Sequence, residues 1–117
     1  MYEKHETGKL GEDLAVKYLE RKGYKILERN FECRQGEIDI IALDKDELIF
    51  IEVKTRKSFL YGMPVEAVSE EKQKHLFKAI EYYLYKRNLQ NEYIRVDVIE
   101  VYLYRSRYRI NHIKQIK

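Results

Sequence analysis

Gly36-Glu37-Ile38-Asp39-Ile40-Ile41-Ala42-Leu43-Asp44-Lys45-Asp46-Glu47-Leu48-Ile49-Phe50-Ile51-Glu52-Val53-Lys54 contains two strongly apolar segments on either side of a charged turn. Short apolar runs bounded by turn residues predict strands, and the brief connection Asp44–Glu47 predicts a hairpin. A symmetric turn pairs Ile38 with Val53, Ile40 with Ile51 and Ala42 with Ile49, so that one face is wholly apolar. The other face carries Leu43 with Leu48 and Ile41 with Phe50, then Asp39 opposite Glu52 and Glu37 opposite Lys54. A one-residue slip would send the charges to the apolar face, which fixes the register. Like charges directly across a strand pair are destabilising. Asp39 against Glu52 therefore calls for a counter-charge, and a divalent cation between them is the natural one.

Upstream, Gly11–Lys22 has the pattern of an amphipathic helix. Leu10, Leu14, Ala15, Tyr18 and Leu19 form its stripe, and Gly23 is its stop. Tyr24–Phe31 follows as a first strand. Downstream, Lys57–Val68 reads as a loop containing the only proline, Pro64. Ser69-Glu70-Glu71-Lys72 opens a second helix as an N-cap followed by first-turn acids, with a stripe of Leu76, Phe77, Ile80, Tyr83 and Leu84. Tyr93–Tyr104 and Tyr108–Ile113 are strands joined by the basic turn Arg105-Ser106-Arg107. The expected order is helix, three strands, helix, two strands, in one domain spanning residues 1–117 without repeat or linker.

Composition narrows the classes. A chain of 117 residues, 44% hydrophobic and 37% charged, is that of a folded domain with a core of moderate size. No apolar run is long enough to span a membrane, and the charged start Met1-Tyr2-Glu3-Lys4-His5 is unlike a signal peptide. One cysteine, Cys33, excludes a disulfide framework and a thiolate metal site, which points to a reducing cytoplasm. The net charge of +3 is compatible with nucleic acid without arguing for it.

Hard oxygen ligands such as Asp39 and Glu52 suit Mg²⁺ or Mn²⁺, which keep waters available for a phosphate substrate. Lys54 follows Glu52 by two residues and so projects from the same face of the strand. There it orients an attacking water, steadies charge on a phosphorus centre, or neutralises Glu37 across the strands. Glu12 supplies a further ligand if the first helix packs beside the sheet; otherwise it is a helix-start acid favoured by the macrodipole.

An acid on one strand and Glu-Xaa-Lys on the next, behind a helix bearing glutamate, resembles the PD-(D/E)XK nuclease superfamily, with Ile38 standing where its proline precedes the aspartate. More closely, Gly11-Glu12, Gly23-Tyr24, Arg29-Asn30-Phe31, Gly36-Glu37-Ile38-Asp39, Phe50-Ile51-Glu52-Val53-Lys54-Thr55-Arg56 and Arg95-Val96-Asp97-Val98 resemble the small bacterial YraN-like family, from Gly8 to about Val101. That family is similar to archaeal Holliday junction resolvases. The resemblance implies a restriction-endonuclease-like α/β fold, a mixed central sheet flanked by helices. It implies a Mg²⁺- or Mn²⁺-dependent nuclease acting on DNA, at branched or damaged structure. Its metal ligands would fall on Asp39, Glu52, the backbone carbonyl of Val53 and Glu12, and its catalytic lysine on Lys54. By analogy with the resolvases, a homodimer is expected. A non-catalytic nucleic-acid-binding or accessory module keeping the same fold is the alternative.

Other candidates follow from position. Arg56 and Lys57 come directly after the presumed site and would hold a DNA backbone. Lys72 and Gln73 open the second helix, where amides can meet a phosphate. Asp97 sits near the site or within a strand network. His5, His75 and His112 lack metal-ligand spacing and are expected at the surface. The eleven tyrosines are expected mainly in packing.

Overall fold

The computed structural model describes residues 2–57, 70–90 and 92–116, with side chains for all of these except 2–7 and 70. The loop expected over Lys57–Val68 with its Pro64, and the Ser69 cap, lie outside the described residues from position 58 on. A helix α1 (Tyr2–Arg21) leads into strands β1 (Lys25–Cys33), β2 (Gly36–Asp44) and β3 (Glu47–Arg56). Helix α2 (Glu70–Lys86) and strands β4 (Ile94–Tyr104) and β5 (Arg107–Ile113) follow. The five strands form one sheet in the order β1-β2-β3-β4-β5, antiparallel throughout except for the parallel pair β3 and β4. The fold is mixed α/β, with one helix on each face.

The central hairpin has the expected register. Ile40 faces Ile51, Ile41 faces Phe50, Ala42 faces Ile49 and Leu43 faces Leu48, closed by Asp44 against Glu47 with Lys45 at φ 58 in the turn. Ile40, Ala42, Ile49 and Ile51 form a core with Ala15, Leu19, Ile99 and Val101 beneath α1. Ile41, Leu48 and Phe50 form a second core with Leu76, Ala79, Ile80, Tyr83 and Val96 beneath α2. Sheet strands buried on both faces explain why β2 and β3 are apolar runs rather than alternating ones.

Helix α1 starts at Tyr2, well before Gly11, so Glu12 lies in mid-helix and the helix-start explanation of that acid falls. Leu14, Ala15, Tyr18 and Leu19 face the sheet, whereas Leu10, expected in the stripe, is 48% exposed. The helix stops as expected: Gly23 takes φ 93, and the Tyr24 amide donates back to the Leu19 carbonyl at 2.9 Å. The same device ends α2, with Asn88 at φ 58 and the Leu89 amide donating to the Leu84 carbonyl at 2.8 Å.

At Gly11, α1 lies directly against Thr55 of β3. A Cβ there would stand 2.0 Å from Oγ1 and 3.0 Å from Cβ of Thr55. Glycine to alanine within a helix is ordinarily worth about 1 kcal/mol in its favour. Here the overlap reverses the sign, and Gly11→Ala is expected to destabilise by on the order of 2 kcal/mol. Urea denaturation checks this, and Gly11→Ala with Thr55→Ala should recover part of the loss.

Candidate functional site

Beyond Ile40 and Ile51 the central hairpin opens. Strand β2 continues against β1 as far as Gly36, while β3 continues against β4 as far as Arg56 with Tyr102. Asp39 is therefore not paired squarely with Glu52, and Glu37 stands against Glu32 of β1 rather than Lys54. Direct opposition of Asp39 and Glu52 is avoided, although Glu32 and Glu37 do face each other, and the Asp39 side chain takes the place of a ladder bond. The Val53 amide donates to Asp39 Oδ2 at 2.8 Å. In an extended strand the amide and carbonyl of one residue point to the same side, so the Val53 carbonyl also opens toward Asp39.

The neighbouring strand explains the fork. Asn30 of β1 adopts φ 54, and a bulge lies between Ile26 and Glu28. Strict alternation fails across this point: Ile40 belongs to the core beneath α1, but Ile38 to the core beneath α2 with Phe31 packed against it. The apolar face expected to run through Ile38, Ile40 and Ala42 is thus broken, because a left-handed Asn30 turns the outer end of the hairpin by one step. Arg29 and Asn30 both reach α1 in consequence. Arg29 Nη2 donates to Glu12 Oε1 at 2.7 Å and to Asp13 Oδ1 at 2.6 Å, and Asn30 Nδ2 donates to Glu12 Oε1 at 3.1 Å. Glu12 is 9% exposed.

The fork concentrates negative charge. Burial, then the charges of Glu52, Glu12 and Glu37, push the Asp39 carboxyl from the ordinary 3.8 up to about 7, against the opposing pull of the Val53 amide. Lys54 Nζ lies 3.6 Å from Glu52 Oε2 on the same face. Helix α2 approaches this end of the sheet, since a Cβ on Gly36 would stand 2.8 Å from the carbonyl oxygen of His75. Lys72 and Gln73 lie one turn earlier, Lys72 exposed and Gln73 half-buried. Arg56 is half-buried at the end of β3 and Lys57 is exposed beyond it.

The donor set of two carboxylates and a main-chain carbonyl is that of a hard divalent cation. Glu12, already holding Arg29 and Asn30, would meet such an ion only through a water or by exchanging partners. Among the described residues, no three His, Cys, Asp or Glu side chains gather as a ready metal cluster.

One grouping was not foreseen from sequence, and Asp97 takes the second of its two expected places, a strand network. Arg29 and Asn30 are the residues that hold Glu12, and only the kink reveals it. Asp97, with no exposed surface, anchors a network on the α1 face. It accepts from Arg95 Nε at 2.9 Å and Nη2 at 3.0 Å, and from the Gln115 amide at 3.0 Å, and pairs with His112 Nε2 at 2.7 Å. His112 Nδ1 lies 2.9 Å from the Tyr18 hydroxyl, and Arg95 Nη2 donates to the Tyr24 hydroxyl at 2.6 Å. His112 is thus no surface residue: its side chain is 6% exposed because β5 tucks it against α1. His75 is exposed as expected, and the side chain of His5 lies outside the described ones.

Two helices and a five-stranded sheet among the described residues, with an acidic fork at one end of the sheet, define a mixed α/β class. The chain belongs to the uncharacterised protein family UPF0102, whose family model matches residues 11–101. It is 53% identical over 108 residues to a UPF0102 protein of Clostridioides difficile (strain 630), covering 92% of this chain and 93% of that one. It is 46% identical over 113 residues to a UPF0102 protein of Caldanaerobacter subterraneus subsp. tengcongensis, covering 94% and 93%. A solved structure titled "Crystal structure of SSO0001" is 19% identical with a TM-score of 0.35, across 93% of this chain and 50% of that one. No helix among the described residues is long and apolar enough to cross a membrane.

Proposed function

We propose that this protein is a metal-dependent nuclease of the restriction-endonuclease-like kind, hydrolysing phosphodiester bonds in DNA. The observation that carries the reading is the fork itself: a half-buried Asp39 kept at a pKa of about 7 by burial, Glu52 and Glu12, where two central strands part. Catalytic and metal-binding sites are where burial and like charges are arranged to perturb carboxylates in this way. Asp39, Glu52 and the Val53 carbonyl would hold Mg²⁺ or Mn²⁺. When bound, such an ion supplies Lewis-acid polarisation of a phosphoryl oxygen and a water of lowered pKa.

The remaining work falls to the chain's own groups. Lys54, tethered beside Glu52, orients a water or balances charge on the phosphorus centre. Arg29 and Asn30 fix Glu12 so that its charge faces the fork. Arg56 and Lys57, with Lys72 and Gln73 at the start of α2, contact the DNA backbone without reading sequence. A homodimer in the cytoplasm would present two such sites to two strands; size-exclusion chromatography with light scattering that gives a monomer at every concentration, with and without DNA, would sink that part.

The second reading, a non-catalytic nucleic-acid-binding or accessory module, is favoured by one observation. Lys54 and Arg29 already offset Glu52 and Glu12 without any ion. Cleavage of labelled linear, flapped and four-way-junction DNA with Mg²⁺, Mn²⁺ or chelator separates the two. Metal-dependent cutting reduced by about a hundredfold or more in Glu52→Gln and Lys54→Ala is expected. Folded wild-type protein that binds DNA with no cutting under any metal would establish the module instead.

A further inference from the structure

The face of the sheet that carries Glu52 and Lys54 does not end there. Lys54 lies beside Glu100 on β4, Arg56 beside Tyr102, and across the next pairing Tyr102 faces Arg109 and Tyr104 faces Arg107. Register partners share a face. Arg56, Tyr102, Tyr104, Arg107 and Arg109 therefore form one surface running sideways from the acidic fork. By strand geometry it begins about 7 Å from Lys54 and extends about 10 Å across β4 and β5.

The surface is built rather than incidental. The Arg109 guanidinium stands 4.9 Å from the centre of the Tyr102 ring. Glu100 is only 1% exposed, yet it serves neither apolar core. Its Oε1 accepts from the Tyr102 hydroxyl at 3.2 Å and from Asn111 Nδ2 at 2.8 Å, which fixes the ring's edge. Tyr104 is 38% exposed, and Arg107 and Arg109 are exposed. Tyr24 and Tyr83, by contrast, are buried in the two cores.

We propose that this surface binds an unpaired nucleic-acid strand, the arginines taking phosphates and the tyrosine rings taking bases. Stacking needs a base face that a duplex hides, whereas an open sheet with cationic and aromatic side chains meets a single strand directly. The surface would lead that strand to Glu52 and Lys54; only this direction rests on the nuclease reading, and the binding does not.

Fluorescence anisotropy of the full chain in chelator, with labelled oligothymidylate and a blunt duplex of equal length, tests binding apart from cleavage. The single strand is expected to bind more tightly than the duplex. Tyr104→Ala should weaken it about tenfold. Arg107→Ala with Arg109→Ala should lower the slope of log affinity against log salt by roughly 1.4. Lys25→Gln with Lys45→Gln, the same charge loss at the opposite end of the sheet, should leave the slope unchanged, and thermal melts confirm that each variant is folded. Duplex binding as tight or tighter, no binding, or binding indifferent to both platform variants overturns the proposal. Strand binding lost in these variants without metal-dependent cutting by wild type leaves the surface standing and the nuclease reading fallen.

Discussion

Asp39→Asn is expected to make this protein more stable and, at the same time, to abolish the divalent-ion binding proposed for the fork. The folded carboxyl titrates near 7, against an ordinary 3.8, because burial, Glu52 and Glu12 disfavour its charge. A group whose folded pKa is raised binds more protons folded than unfolded between those two values. Stability therefore falls as pH rises from about 4 to 7, and the penalty is complete above 7. The shift corresponds to on the order of 4 kcal/mol. Asparagine keeps an oxygen for the Val53 amide and removes the charge. A thermal melt at pH 8 should rise by about 5 °C or more in the variant, with little difference from wild type near pH 4. Mg²⁺ or Mn²⁺ should stabilise wild type by mass action, releasing a proton near neutral pH, and leave the variant unmoved. A variant no more stable at pH 8, or one still stabilised by metal, contradicts the account of the fork.

Asp97→Ala is expected to have the larger cost. Removing one partner of a buried ion pair leaves the other charge uncompensated, typically at about 3–5 kcal/mol. Arg95 would remain buried beside Tyr24 with only Glu47 at 3.3 Å and Asp44 at 3.9 Å, and the Gln115 amide would lose its acceptor. Replacing Arg95 and Asp97 together by leucine should recover much of the loss, because the burial cost of both charges disappears. Chemical denaturation of the two variants decides it; a double variant as unstable as the single would show that the network holds β5 and α1 by shape instead. The pH dependence runs opposite to that of Asp39. Burial raises the Asp97 carboxyl, but the bonds from His112, Arg95 and the Gln115 amide outweigh it and hold the pKa below the ordinary value. That contribution is present at neutral pH and is lost as pH falls below about 4. The two aspartates together predict greatest stability in mildly acidic solution.

The hairpin register was legible in the chain because β2 and β3 are buried on both faces and only one pairing buries their apolar residues in two cores. Helix stops were legible too, since Gly23 takes a left-handed conformation that few other residues accept. The α2 stripe followed from helical periodicity, with Leu76, Ile80 and Tyr83 in the core. What failed was strict alternation past Ile40. A positive φ at Asn30, on a different strand, turns Ile38 to the other core and changes the expected confrontation of Asp39 with Glu52 into a fork.

Local pattern therefore determined the order of the elements, how the central strands align from Ile40 to Leu43 and which acids arrive at one end of the sheet, though not how far α1 extends. Tertiary structure alone decided what those acids meet. Arg29 and Asn30 reach Glu12, Asp39 captures the Val53 amide, and His112 turns inward onto Asp97. Each of these contacts joins residues from separate elements. Periodicity records which face a side chain takes on its own strand or helix; only packing sets which charges become neighbours once water is gone.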